Sequence, residues 1–305
     1  PVSSEKPATD LIALPVLGKK TIAQHQRILS IALVVSLVLL ALVTLVGLNR
    51  SEKAAQQLSA TGQSLMQSQR LAKSVSQALV GDAKAFADVA QSAQILVKSV
   101  RGLMNGDADL RLDQLGAGYK PLLDKVAPMV DRAEKSAANV MSQQKILTQV
   151  GSSLRLINRQ SSDLLEIAET VSSLKLQQNS PAADISAAGQ LVMLTQRIGK
   201  SSNEFLTMDG VSPEAVFLLG KDLNSFKEIA KGLLDGSPEL RLAGSSDPQT
   251  REQLTALIKL YEETRTQASA ILGNLQGLVS AREAQVTILT DSESMRKELE
   301  ELQLA

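Results

Sequence analysis

The hydrophobic residues of this chain are most densely concentrated in one long uncharged run near its beginning. Residues 28–48 (ILSIALVVSLVLLALVTLVGL) contain no charged side chain. As a helix rising 1.5 Å per residue, they would extend about 30 Å, which is the thickness of a bilayer core. The preceding residues 1–27 contain many polar and charged side chains and are interrupted by Pro7, Pro15 and Gly18. The pattern predicts a polar tail at 1–27 and a transmembrane helix at 28–48.

Basic residues on the two sides of the run indicate its orientation. Lys19, Lys20 and Arg27 precede it, and Arg50 and Lys53 follow it. Because cytoplasmic flanks carry the excess of Lys and Arg, the tail is predicted to be cytoplasmic and the remainder of the chain to lie outside. The run is longer than the apolar core of a cleaved signal peptide, so we interpret it as a retained anchor.

From residue 49 onward the hydrophobic pattern has a helical period. Apolar or small residues recur every seven positions in each half of the chain, which predicts a seam of coiled-coil type. The seam positions are Leu58, Leu65, Ala72 and Leu79, with Val75 beside them, and Ile185, Val192, Gly199 and Leu206. Gly106 and Gly236 are predicted C-terminal caps, and Ser212 with Pro213 predicts a helix start.

The chain repeats itself. The segment SATGQSLMQSQRLAKS at 59–74 returns as SAAGQLVMLTQRIGKS at 186–201, with nine identities in sixteen positions and an offset of 127. A second pair follows at an offset of 130: RGLMNGDADLRL at 101–112 and KGLLDGSPELRL at 231–242. Such self-similarity indicates a duplicated module. The predicted fold is all-α: the transmembrane helix, then two tandem antiparallel four-helix-bundle modules at 49–179 and 180–305.

The identical residues of the first repeated segment form a stripe when they are placed on a helix. Gln63, Met66, Arg70 and Lys73 step by three and four positions and lie away from the predicted seam. The candidate ligand or interface residues are Gly62, Gln63, Met66, Gln69, Arg70 and Lys73, with Gly189, Gln190, Met193, Gln196, Arg197 and Lys200. A glycine inside a helix costs about 1 kcal/mol relative to alanine, so its presence in both copies suggests that something approaches the backbone there. A solvated face is the alternative.

Composition removes several classes of function. The chain has no Cys, and its one histidine, His25, precedes the apolar run. The usual nucleophiles, general bases and metal ligands are therefore missing from the rest, so we expect no enzymatic activity, no catalytic residues, no metal site and no cofactor. Lys plus Arg and Asp plus Glu are 32 each, and aromatic residues make up only 2%. This balance gives no indication of nucleic-acid binding.

The doubled GQxxMxxQRxxK pattern resembles the PilJ-type sensor domain of type IV pilus methyl-accepting chemotaxis transducers, which is related to the sensor domains of the nitrate sensors NarX and NarQ. The resemblance implies a homodimer in the bacterial inner membrane with a periplasmic region of four-helix modules. It also implies a second membrane helix and a HAMP linker to a cytoplasmic output domain that signals to chemotaxis proteins. Leu65 and Val192 stand before the methionines, where the nitrate sensors carry an anion-binding arginine, so nitrate binding of that kind is not expected. Arg70 and Arg197 match the later arginine of the family.

These observations favour the sensory region of a chemoreceptor-like transducer, tied to type IV pilus control, that relays a signal by helix displacement. Its partners would be the membrane, a second copy of the chain, and a periplasmic ligand or a pilus-related protein. The sensor region of a histidine kinase and a passive helical membrane tether are the two rival interpretations.

Overall fold

The computed structural model describes residues 11–15, 18–205 and 212–304. The chain divides into two compact units, residues 1–58 and 59–305. The predicted seam position Leu206 lies outside the described residues.

The first unit contains a short hairpin within the segment predicted to be a polar tail. Strand β1 (Leu11–Leu14) pairs antiparallel with β2 (Gly18–Thr21). Gly18 has φ +71°, a conformation that glycine adopts at no steric cost, so it suits the turn. Helix α1 (Ile22–Leu79) follows directly and contains the apolar run. Within the described residues it is the one helix long and apolar enough to cross a membrane.

The described elements outside this hairpin are helical, which confirms the all-α prediction. After α1 the order along the chain is α2 (Ala85–Asn105), a 3-10 turn (Ala117–Tyr119), α3 (Lys120–Ser142), α4 (Gln144–Gln177), α5 (Ala182–Phe205), α6 (Pro213–Asp235), α7 (Pro248–Leu272) and α8 (Leu275–Leu304).

Several helix ends are set by the residues that the sequence indicated. Ser212 caps α6 by accepting the backbone N–H of Ala215 at 3.2 Å, and Pro213 is the first helical residue. Gly106 and Gly236 end α2 and α6 at φ +80° and +91°. Both predicted glycine caps are confirmed.

The second repeated segment forms the same structure twice. After each glycine cap the chain folds back in a small antiparallel bridge, Asp107 to Leu112 in one copy and Ser237 to Leu242 in the other. A Cβ added at Gly102 would lie 2.9 Å from the Leu112 side chain. Glycine is therefore required there because the folded-back leucine rests directly on the helix.

The helices of the second unit form two bundles. Bundle A consists of the part of α1 from Ser59 onward, α2, α3 and α8, and bundle B consists of α4, α5, α6 and α7. In bundle A, Arg132 on α3 donates two hydrogen bonds of 2.8 Å to Asp291 on α8. In bundle B, Thr264 on α7 donates to Gln160 on α4 at 3.0 Å.

This grouping differs from the predicted modules 49–179 and 180–305 in the placement of α4 and α8. Each bundle takes three helices from one repeat and its fourth from the other, since α4 packs on α5 and α7 while α8 packs on α3. Gln143 alone separates α3 from α4, and Gly273 and Asn274 alone separate α7 from α8. Such links are at or below the shortest found between antiparallel helices, so the chain continues forward into the next bundle.

The far end of bundle B is fastened by a buried ion pair. Lys175 near the end of α4 donates to Asp184 at the start of α5 at 2.9 Å, and both side chains are about 95% buried (4% and 5% exposed). Gln178 donates to Asp247, the N-cap of α7, at 3.0 Å. The backbone N–H of Thr250 is the main cause that lowers the pKa of Asp247. Three helix ends are therefore joined by charge and hydrogen bonds.

The exchange of α4 and α8 predicts specific cross-links. Asn139 on α3 and Ser280 on α8 are joined by a 3.0 Å hydrogen bond between their side chains. Because the chain contains no native Cys, the double variant Asn139→Cys/Ser280→Cys should cross-link within one chain upon oxidation or with a short thiol reagent, as read by gel mobility. The single-cysteine variants are the controls. No intrachain cross-link, or a cross-link only between two chains, would contradict the assignment of α8 to bundle A.

Candidate functional site

The repeated stripe lies on the outside of both bundles. Its twelve predicted residues are solvent-exposed on α1 and α5, except Gly62, which is half-buried. Met66 and Met193 are exposed by 51% and 47%, which is high for methionine. The opposite face of each helix enters the core, where Leu71 and Ile198 occupy equivalent positions and are fully buried.

The predicted seam is only partly the core. Ala72, Val75 and Leu79 are buried, but Leu58 is 51% exposed and Leu65 only packs against the core's edge. A helix in a four-helix bundle buries a face wider than a strict seven-residue seam. The buried face of α1 therefore lies to one side of the line that joins Leu58 and Leu65. The first turns of this face bury polar residues, which a search for regularly spaced apolar residues does not detect.

Each stripe arginine pairs with an aspartate on the following helix. Arg70 contacts Asp88 on α2, and both side chains are 43% exposed. Arg197 pairs with Asp222 on α6 at 2.9 Å, and there the aspartate is only 7% exposed. The repeat does not indicate either aspartate, because the two are not at equivalent positions. At the repeat offset of 130, Asp88 corresponds to Leu218, one helical turn before Asp222.

In the second copy the stripe borders a groove. The groove lies between α5 and α6 and has a volume of about 350 Å³. Gln190, Met193 and Arg197 line one wall, and Lys221 and Asp222 belong to the other. The groove thus offers hydrogen-bond donors and acceptors of both charges beside an apolar thioether, which suits a polar ligand or a protein side chain.

The stripe glycines face open space. A Cβ added at Gly62 or Gly189 would meet no other atom within 4 Å in the described part of the chain. The helix cost of about 1 kcal/mol per glycine is therefore not offset by an intrachain contact in that part. If a close approach explains the two glycines, it comes from another molecule.

A larger groove, of about 630 Å³, lies between α2 and α3 and contains no stripe residue. Its floor includes Ala93 and Ala137. Ala93 is equivalent to Leu223 of the second repeat, and the smaller side chain of alanine leaves space for the groove. Arg101 crosses its edge to Glu134 at 2.6 Å and to Asp131 at 2.9 Å, and these carboxylates raise the pKa of the arginine. Comparison of the two repeats position by position could have indicated this groove.

Comparison with known families agrees with the doubled pattern. The family model described as "Type IV pili methyl-accepting chemotaxis transducer N-term" (PilJ) matches residues 47–156 and 175–287, one match around each copy of the stripe. The chain belongs to the PilJ family. The resemblance inferred from the stripe is thereby confirmed, and the chain is a chemoreceptor-like sensory region of the N-terminal part of such transducers.

Two curated relatives support this placement. The chain is 27% identical to "Protein PilJ" of Pseudomonas aeruginosa over 272 residues, 88% of this chain and 39% of the relative. It is 24% identical to "Putative methyl-accepting chemotaxis AlkN" of Alcanivorax borkumensis over 280 residues, with the same coverages. The PilJ-family chain therefore spans about two fifths of the length of the relatives it matches. The family is one of membrane-associated chemotaxis transducers and not of enzymes.

The two arginines should differ in their effect on stability. Replacing Arg70 by Ala leaves Asp88 accessible to water, so we expect a loss of less than about 1 kcal/mol in the free energy of unfolding. Replacing Arg197 by Ala leaves a nearly buried carboxylate without its charge partner, and we expect a loss of about 1–3 kcal/mol. Chemical denaturation of both variants measures the difference. Equal losses would show that the burial of Asp222 does not matter.

Proposed function

We propose that this region is the periplasmic sensory part of an inner-membrane chemotaxis transducer that controls type IV pili and acts as a homodimer. The observation that carries the proposal is the double match to the family of type IV pilus transducers. Helix α1 adds to it, since this single helix includes both the apolar run and the first copy of the stripe.

The charge distribution supports the orientation. Lys19, Lys20 and Arg27 precede the apolar run, against Arg50 and Lys53 after it. With the basic excess in the cytoplasm, the tail is cytoplasmic and residues 49–305 are periplasmic.

The stripe is the surface that we assign to the second copy of the chain. In each copy it combines a glycine with an exposed methionine and an exposed arginine, and methionine and arginine are enriched at protein interfaces. Gly62 and Gly189 would let a facing helix approach closely. The groove beside Arg197 is the place for a periplasmic ligand or a pilus-related protein.

The packing of α8 on α1 provides a route for the signal. Gln285 donates to Ser76 at 3.1 Å, and Ser292 donates to the carbonyl oxygen of Ser68 at 3.3 Å, so the two helices are antiparallel. Helix α8 therefore runs back to the end of bundle A at which α1 enters. A displacement of one helix against the other would reach the membrane and, beyond it, an output domain and the cytoplasmic chemotaxis proteins. Such a switch requires two packings that the signal binds with different affinity.

Deletion and complementation test the function itself. In the bacterium that makes this protein, deletion of its gene should reduce twitching motility and its response to stimuli, and the full-length gene should restore both. As a control, the gene with residues 59–304 removed in frame should not restore the response. Unchanged twitching in the deletion strain would exclude pilus control.

The glycines test the homodimer. In the full-length protein, Gly62→Ala with Gly189→Ala should stabilise the bundles by about 0.5–1 kcal/mol per site, because a Cβ meets open space there. The same substitutions should reduce cross-linking between subunits if a partner helix approaches the stripe. Gly220→Ala is the matched control, since its Cβ would make only an ordinary contact with Leu272 at 4.0 Å. Greater stability with unchanged cross-linking would show that the stripe is a solvated face.

A further inference from the structure

The two bundles differ in what α1 and α5 bury. Four inner positions at the start of bundle A are polar, and all four are at least 97% buried (0–3% exposed). Three of the four equivalents, 127 positions later, are apolar and equally buried. The two sets are Thr61, Ser64, Gln67 and Ser68 on α1, against Ala188, Leu191, Leu194 and Thr195 on α5.

The helices around α1 add further polar groups at the same level. Ser92 on α2 is fully buried, and Ser292 on α8 is 4% exposed. The Arg70–Asp88 ion pair fixes the antiparallel register of α1 and α2, which brings Gln67 level with Ser92. We call Ser64, Gln67, Ser68, Ser92 and Ser292 the polar layer of bundle A.

The polar layer is not fully hydrogen-bonded. Gln67 Oε1 and Ser92 Oγ are buried and have no hydrogen-bond partner in the part of the chain that the structure describes. Ser64 and Ser68 donate to carbonyl oxygens of their own helix, those of Ala60 and Leu65, at 2.8 Å each. Such bonds satisfy the hydroxyls but do not hold α1 to its neighbours. Within the layer, Ser292 on α8 donates across to the carbonyl oxygen of Ser68 at 3.3 Å. An unmade buried hydrogen bond destabilises the packing that contains it.

Bundle B is packed differently at the equivalent level, although the hydroxyl of Tyr261 on α7 is also buried there with no hydrogen-bond partner in the described part of the chain. Leu191 and Leu194 insert into its core, and Phe226 on α6 stacks on Tyr261 on α7 with ring centroids 5.4 Å apart. Interlocked apolar side chains favour one arrangement, because any shift opens voids. The polar layer of bundle A consists instead of small hydroxyls and one amide, and two of its atoms have no hydrogen-bond partner in the described part of the chain. Such a layer tolerates a shift of α1, because the shift can bring these atoms within reach of hydrogen-bond partners.

We propose that the polar layer makes α1 the movable helix of bundle A, which alternates between the described packing and a second one in which Gln67 and Ser92 are hydrogen-bonded. The inference rests on the proposed function, because it names the element through which the signal would pass. Bundle B then acts as a rigid body, and the displacement is confined to the first turns of α1 in bundle A.

Removing the two unpaired atoms tests the inference. Gln67→Met with Ser92→Ala keeps the side-chain shapes nearly unchanged and deletes both polar groups. In the full-length protein in lipid nanodiscs, we expect amide hydrogen exchange at residues 61–76 to slow by about tenfold or more. The melting temperature should rise by about 2–4 °C. The twitching response should weaken, because the second packing loses its hydrogen bonds.

Two control variants accompany this one. Gln91→Met makes the same change on the exposed face of α2 and should alter neither exchange nor response. Leu194→Gln places the amide of bundle A in bundle B and should speed exchange at residues 188–202.

Unchanged or faster exchange at 61–76 would overturn the inference, as would slower exchange with a fully retained response. If the double variant fails to fold, the single variant Ser92→Ala replaces it in the same measurements. A lower melting temperature of this variant than of the unmodified protein would overturn the inference. The exchange measurement does not depend on pili. Slower exchange combined with no pilus response in the unmodified protein would therefore overturn the proposed function and support the movable helix.

Discussion

The link between α3 and α4 determines how the second unit is built. Gln143 alone separates the two helices, and its N–H still donates to the carbonyl oxygens of Asn139 and Val140, so the backbone barely leaves the helical path. The chain cannot turn back on itself there. Helix α4 leaves bundle A and becomes the fourth helix of bundle B, and α8 returns to fill the vacant position in bundle A.

Several features of the protein follow from this exchange. Neither repeat supplies all four helices of either bundle. The buried residues of α4 have buried equivalents on α8, at an offset of 131 positions, as in the pairs Leu147/Leu278 and Ile157/Ile288. The two helices therefore bury equivalent faces, each in the bundle formed mainly by the other repeat. The turn after α1 also packs on α4: a Cβ at Gly81 would lie 2.7 Å from the Cα atom of Gly151, so two glycines allow this contact between the bundles. The two bundles are also joined by two nearly continuous pairs of helices, α3–α4 and α7–α8.

The same architecture separates the roles of the two faces of α1 and α5. One face packs in a bundle, and the other carries the doubled stripe with its arginines, methionines and glycines. In bundle B the inner face of α5 is largely apolar and its outer face borders a groove, whereas in bundle A the first turns of α1 bury Thr61, Ser64, Gln67 and Ser68. Bundle B is also fastened by the buried ion pair of Lys175 and Asp184.

The sequence by itself determined the helical class, the apolar run, the duplication, the glycine caps and the outward position of the stripe. These features depend on local periodicity and on residues such as Gly106, Gly236 and Ser212, whose preferences act within a few positions of the chain. Only the tertiary structure decided which helices share a core, because α3 and α7 have the same apolar spacing whichever fourth helix covers them. It also decided the partners of Arg70 and Arg197, since Asp88 and Asp222 reach them only through helix packing. The polar layer belongs to this second group, because Gln67 and Ser92 are buried by neighbouring helices and not by any local preference.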